Sequence, residues 1–455
     1  MSYDKNRLAD SLKKVYAFTS EGVDDPNNYR RCKMLGGSGT RISFSTPGGG
    51  FEGVVEEGQG ATLMIVDDGV DAFDAFIDEA LKDDEIREVI GRGAIQKQLE
   101  DLLRSTQGTL PDGEIAKTIR FEIMKPLREN IRVWHSFVPI VNLNTKATLR
   151  LGDVEFVSAE EMKAASVTFI EEHRFGSDDT TYQEKQRQAI LSRIDNSCQQ
   201  TPSFARVALR AHQERTADVA ADKALIALNI LRAHTHLFYT YDQKALVGLP
   251  TELSAGAWQT VSLSQDESRT LNLKQVCKGP LLPFDLDEKK IDYLNGNCHL
   301  VLLQEILDKS CQDRNSFESA VIQAFQSLGR AIVAPTIDMR FLGCTIALER
   351  MLTSDDEKNT TTERWSDRLA LAVARDSSHR QVIIKRAKRL YELRSRIVHA
   401  AYSGVSDADA RLMERWALRV IFLGLEGHAN FSCHGDFCNT VDPRNIGLGF
   451  SENTR

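Results

Sequence analysis

A chain of 455 residues, 42% apolar and 27% charged, is long enough for two or three domains and too evenly mixed for a disordered or fibrous protein. Its formal net charge of −8 removes any global attraction to nucleic acid or to an anionic membrane, so nucleic-acid binding would have to rest on a local basic patch. The polar opening MSYDKNRLAD lacks the apolar core of a secretory signal, the stretch 416–425 is too short to span a bilayer, and 8 scattered cysteines make no disulfide framework; a cytoplasmic, non-membrane protein is expected.

In chain order, residues 2–16 alternate charge and apolar character at helical spacing. The segment 35–53 is rich in glycine turns around a short β-prone run, 41–44, and 61–66 (ATLMIV) predicts a buried strand. Helices are predicted over 71–81 and 95–103. Strands are predicted over 133–143, 147–151 and 154–157, with a Gly-Asp turn at 152–153, and again over 203–211. The Ala- and Leu-rich segment 217–237 is a predicted helix, followed by weak strands near 259–263 and 271–276. The fold class is therefore α+β: an irregular α/β region over residues 1–300 precedes a C-terminal all-α bundle at 315–427. That bundle would comprise helices over 315–333, 339–352, 360–374, 378–399 and 406–425, with Asn315/Glu318 as a capping box. Residues 430–455 are rich in Gly, Asn and Asp and predict a loosely ordered tail.

The fourth bundle helix carries the chemistry. On a wheel of about 100° per residue, Ile383, Ala387, Leu390, Leu393 and Ile397 form one apolar stripe, and Arg394 falls inside it. A guanidinium keeps its charge, so its burial is costly unless it meets an anion. Between Arg380 and His399 lie Arg380, Lys385, Arg386, Lys388, Arg389, Arg394 and Arg396 against the single acid Glu392. A helix of that charge within an acidic chain suits a phosphate-rich ligand. The pair Arg394/His399, with four residues between, is a weak motif by itself in a chain of 10 histidines; Arg206 and His212 have a similar spacing but lie in a predicted core strand.

The segments FLGCTIALERMLTSDDE (341–357) and LYELRSRIVHA (390–400) resemble the HEPN superfamily, in particular its Apea-like branch of prokaryotic proteins. The family's hallmark is an Arg, then a small polar residue, then a His within a few positions, and Arg394, Ser395 and His399 fill those places; Ala400 stands where a Gly often follows. The resemblance implies an all-α bundle that pairs as a homodimer and a metal-independent, cofactor-free endoribonuclease whose motifs face each other across one cleft. By this reading His399 is the general base or acid acting on the RNA 2′-OH or the leaving 5′-oxygen, because an imidazole titrates near neutral pH as a class. Arg394 stabilises the charge of the pentavalent phosphate, and Ser395 orients it. Arg396, Lys388 and Tyr391 are further substrate contacts, and Glu349 on the second bundle helix supports a motif residue. Arg394 and His399 are 140° apart on a straight helix, so a composite site from two chains, or a bend near His399, is required. The resemblance also suggests a toxin-like or antiphage role, with residues 1–300 as a sensor, regulator or RNA-positioning module open to a regulatory ligand or protein.

A non-catalytic HEPN module binding RNA or a protein through the same helix is the alternative. The glycine loops 36–40 and 48–50 lack the Lys of a phosphate-binding loop, and Cys433, His434 and Cys438 fall short of the four ligands of a structural zinc, so no metal is expected. His234 and His236 point to different faces of their helix.

Overall fold

The computed structural model describes residues 3–17, 19–21, 31–35, 42–44, 63–66, 68–83, 86–106, 115–172, 180–212, 215–235, 238, 247–250, 252, 258–263, 271–276, 283–354, 362–400 and 404–444. The glycine loops at 36–40 and 48–50, His236 and residues 445–455 lie outside them. The fold is mixed α+β with a helical C-terminal region, and it divides into two compact units, residues 1–136 with 208–220, and residues 137–207 with 221–455. The expected boundary near residue 300 is not where the units part: the divisions fall inside two strands, at 136/137 and 207/208, and inside a helix, at 220/221.

In the first unit α1 (Lys5–Ala17) places Leu8, Leu12 and Val15 on one face, each fully buried, because three- and four-residue steps share a side of a helix. That stripe packs with Phe73, Phe76 and Ile77 of α2 (Asp68–Ala80) and Ile95, Leu99 and Leu103 of α3 (Gly91–Ser105) in one apolar core. β1 (Thr19–Glu21), β2 (Arg31–Leu35), β3 (Ile42–Phe44) and β4 (Leu63–Val66) form an antiparallel sheet in the order β1-β4-β2-β3. The short α4 (Ile115–Lys117) and α5 (Lys125–Glu129) flank a π-helical stretch, Thr118–Met124, that the sequence reading did not anticipate.

A second sheet has the order β5-β9-β8-β7, built from β5 (Ile131–Ile140), β7 (Leu149–Leu151), β8 (Val154–Ser158) and β9 (Ser203–His212). β5 stops three residues short of the predicted 143, because Asn142 adopts a left-handed φ of 59° that turns the chain. The next residues form β6 (Leu143–Thr145), which pairs in parallel with β12 (Phe284–Leu286). The predicted turn at 152–153 is present, with Gly152 at φ +61°, between antiparallel β7 and β8. Between β8 and β9 come two unpredicted helices, α6 (Ala159–Glu172) and α7 (Thr180–Gln200). α8 (Thr216–Thr235) follows β9, and β10 (Trp258–Leu263) and β11 (Leu271–Val276) form an antiparallel pair.

Helices then dominate: α9 (Glu288–Asn297), α10 (Leu300–Asp308), α11 (Ser316–Ile332), α12 (Ile337–Leu352), α13 (Thr362–Val373), α14 (Ser377–Ala400), α15 (Asp407–Glu426) and α16 (His434–Thr440). The helical texture thus begins at 288, inside the region 1–300 expected to be irregular α/β. The Asn315/Glu318 capping box is formed, and Ser406 caps α15 by accepting from the Asp409 backbone N–H at 3.0 Å. The expected loose tail is corrected for residues 430–444. Phe437 and Cys438 of α16 are buried, and Asp442, 1% exposed, binds Arg364 and Arg368 of α13 together with Arg444. Polar composition misled there because the polar groups are spent on internal partners.

α8 and α11 cross so closely that a Cβ on Gly329 would lie 2.4 Å from the Asn229 Cα. Gly329→Ala, which at an exposed helical site would gain about 1 kcal/mol in helix propensity, should instead cost about 2 kcal/mol or more by forcing two backbones apart. A chemical-denaturation midpoint that rises in this variant would contradict the crossing. Among the described residues no helix is long and apolar enough to cross a membrane.

Candidate active site on the basic helix

The predicted stripe holds α14 in the bundle: Ile383, Ala387, Leu390 and Leu393 are all buried. Arg394 meets the anion its partial burial requires. Its Nε lies 3.4 Å from Glu349 Oε1 of α12, and its Nη2 donates to Oε2 at 3.4 Å, with the two side chains 28% and 22% exposed. Both partners being partly desolvated, the pair is stronger than a surface ion pair while keeping one edge toward solvent. Among the described residues Nη1 has no partner, so that edge of the guanidinium is available to an incoming anion.

Tyr391 stands between these groups. Its ring packs on Trp365 of α13 at 5.0 Å and lies under the Arg394 guanidinium at 5.9 Å. Burial pushes its hydroxyl pKa up, and the Glu349 carboxylate, toward which the hydroxyl donates, pushes the same way. Tyr391 is therefore half-buried packing as much as a surface for a base. Glu349→Gln should bring the Tyr391 pKa part of the way back down, leaving the contribution of burial; absorbance titration against Tyr391→Phe reads this directly, and no shift would mean that the carboxylate is not where it is described.

The rest of the basic run is less free than its sequence suggests. Lys388 pairs with Glu363 of α13 at 3.3 Å, and Arg389 and Arg386 both face Asp409 at the start of α15. That Asp409 and Glu363 neutralise α14 depends on which helices pack together, a fact with no one-dimensional signal. Arg380 and Lys385 have no ion-pair partner among the described residues. Ser395 and Arg396 are exposed, and Arg396 has its own contacts.

His399 is exposed, with no hydrogen bond or ion pair among the described residues. α14 runs unbroken through Ala400, so no bend brings His399 round to Arg394. Five residues of regular helix place it about 7.5 Å further along the axis and about 140° around it. One chain therefore gathers Arg394, Tyr391 and Glu349 in one place and leaves His399 outside that group. Two exposed apolar side chains border the pair: Ile346 (43% exposed) lies one turn before Glu349 on α12, and Val398 (51% exposed) one turn after Arg394 on α14.

The discounted residues have structural work. Arg206 binds Glu155 across β8 and β9, Nε to Oε2 at 2.6 Å. His234 is fully buried, its ring nitrogens at the Ile230 and Cys298 carbonyls, and burial depresses its pKa. Buried His434 reaches the Met351 carbonyl at 2.8 Å, and the Cys438 thiol lies 3.7 Å from it. Comparison of the chain with protein-family models, with curated proteins and with solved structures finds no match.

Proposed function

We propose that the protein is a metal-independent endoribonuclease of the HEPN type, cytoplasmic and dimeric through residues 315–427. The observation that carries the reading is the Arg394–Glu349 pair: a guanidinium fixed by a carboxylate and a tyrosine, with its Nη1 edge open, on the helix that also exposes His399. In this scheme the open edge of Arg394 binds the scissile phosphate and the charge that grows on it. His399 of the facing chain takes the proton from the 2′-OH or gives one to the departing 5′-oxygen. The 2′-oxygen–phosphorus bond forms as the phosphorus–5′-oxygen bond breaks, leaving a 2′,3′-cyclic phosphate and a 5′-hydroxyl. Ser395 orients the phosphate, and Arg396 hydrogen-bonds the flanking backbone. The exposed apolar pair Ile346 and Val398 supports a chain-to-chain contact beside the cleft. The residues before the bundle act as the regulator that restrains an activity harmful to its own host, in a toxin-like or antiphage role.

The second reading, a non-catalytic HEPN module that binds RNA or a protein, is favoured by two observations: Lys388, Arg386 and Arg389 are engaged by acids of the same chain, and no described residue hydrogen-bonds the His399 ring. Incubating full-length protein with RNA in EDTA separates the two. Cleavage that fails on RNA carrying 2′-deoxy sugars, with cyclic-phosphate ends on the products, supports the nuclease; binding without cleavage supports the module.

A further inference from the structure

The helices α6 and α7, which the sequence reading missed, form one side of a cavity of about 610 Å³ that opens to solvent. Its walls are apolar: Phe137 of β5, Met162 of α6, Ile190 and Ile194 of α7, and Phe204 of β9. Met162 and Phe204 are buried and belong to a small core cluster with Val157 and Ala159, so the floor is fixed, while the other walls are only partly covered. A volume in this range is that of a small-molecule site rather than a packing defect.

The polar groups at its rim decide what it takes. Arg193 of α7 lines the cavity and is exposed. Among the described residues no carboxylate lies within ion-pair distance of it, and no acidic residue lines the cavity. The nearest candidate on α7, Asp195, is bound by Lys163 at 2.7 Å. Two lining hydroxyls are already committed as donors, Ser166 to Met162 Sδ at 3.4 Å and Ser197 to the Arg193 carbonyl at 3.0 Å, and Gln200 and Thr201 add only neutral polar groups. The site therefore offers one strong cationic donor beside an apolar chamber. A nucleotide would bring several charges to one guanidinium, and a neutral amphiphile would fill the chamber without gaining that contact.

We infer that this cavity binds a small amphipathic anion, an apolar body bearing one carboxylate, with the carboxylate on Arg193 and the body between α6, α7 and the sheet. The inference does not rest on the ribonuclease reading, and the binding site is a candidate for the regulatory input to whatever the bundle does. Calorimetric titration of the full-length protein with decanoate should give saturable one-to-one binding. Arg193→Gln, at an exposed position where the fold is not at stake, should weaken decanoate about tenfold, the loss of one charge-assisted contact, and leave binding of decanol unchanged. Ile194→Trp should abolish binding of both by filling the chamber, with circular dichroism confirming that the variant is folded; where it is not, Ile190→Phe serves in its place. Absence of saturable decanoate binding, an Arg193→Gln protein that binds it as tightly as the parent, or binding that survives the filled chamber overturns the inference.

Discussion

His399→Ala should lower the rate of metal-independent RNA cleavage by about 10²–10⁴-fold, the usual share of a positioned acid or base, and Arg394→Ala should do the same by removing the charge on the phosphate. The informative experiment mixes the two dead proteins. Because α14 is one continuous helix, Arg394 and His399 of the same chain face different directions, and in the proposed dimer each site would take its arginine from one chain and its histidine from the other. Subunit exchange between the variants makes half of the dimers mixed, and each mixed dimer holds one intact site and one that lacks both groups. The mixture should regain about one quarter of the parent rate. Recovery near zero, with exchange verified by mass spectrometry, would mean that the two groups do not meet across a dimer axis. Parent-like cleavage by His399→Ala alone would remove the imidazole from the mechanism.

Asp442→Asn should destabilise the protein by about 3–5 kcal/mol, the cost of leaving buried charge without its partner. Asp442 is 1% exposed and carries three guanidinium contacts, from Arg364 at 3.2 Å, from the fully buried Arg368 at 3.3 Å, and from Arg444 at 2.6 Å. Arg368 also donates to the Leu352 carbonyl at 2.7 Å, so this one carboxylate ties the segment after α16 to α13 and to the end of α12. These contacts, led by Arg444, hold the Asp442 carboxyl far below the ordinary carboxylate range despite its burial. The sign follows from linkage. A depressed folded pKa gives stability that is complete above the unfolded value of about 3.9 and fades as the pH falls below it toward the folded value. Urea midpoints of parent and variant should therefore be widely separated at neutral pH and converge in strong acid. Equal midpoints at neutral pH would mean that the carboxylate does not anchor the segment.

How far the fold could be read in one dimension depended on which interactions were local. Helices α11, α12, α14 and α15 follow from their apolar spacing, and the cap at Asn315 from a side chain three residues from its target. α7 escaped because its sequence is largely polar, and its partly covered positions Ile190, Ile194 and Cys198 recur every fourth residue without a continuous apolar stripe. Residues 430–444 escaped because a segment of Cys, Asp and Arg reads as solvated until its carboxylate is found among arginines of another helix. The unit boundary escaped because it lies within two strands and within α8, where no glycine, proline or charge run marks it.

The same division holds at the site. Local chemistry determined that α14 is cationic, that its stripe faces inward, and that Arg394 within that stripe needs an anion, since helical periodicity and the permanent charge of a guanidinium are properties of the chain alone. Tertiary structure decided that the anion is Glu349, that Asp409 and Glu363 neutralise much of the basic run, and that His399 has no partner among the described residues. Those outcomes depend on which helices become neighbours across tens of residues, and Coulomb pairing acts through distance in space, which order along the chain does not encode.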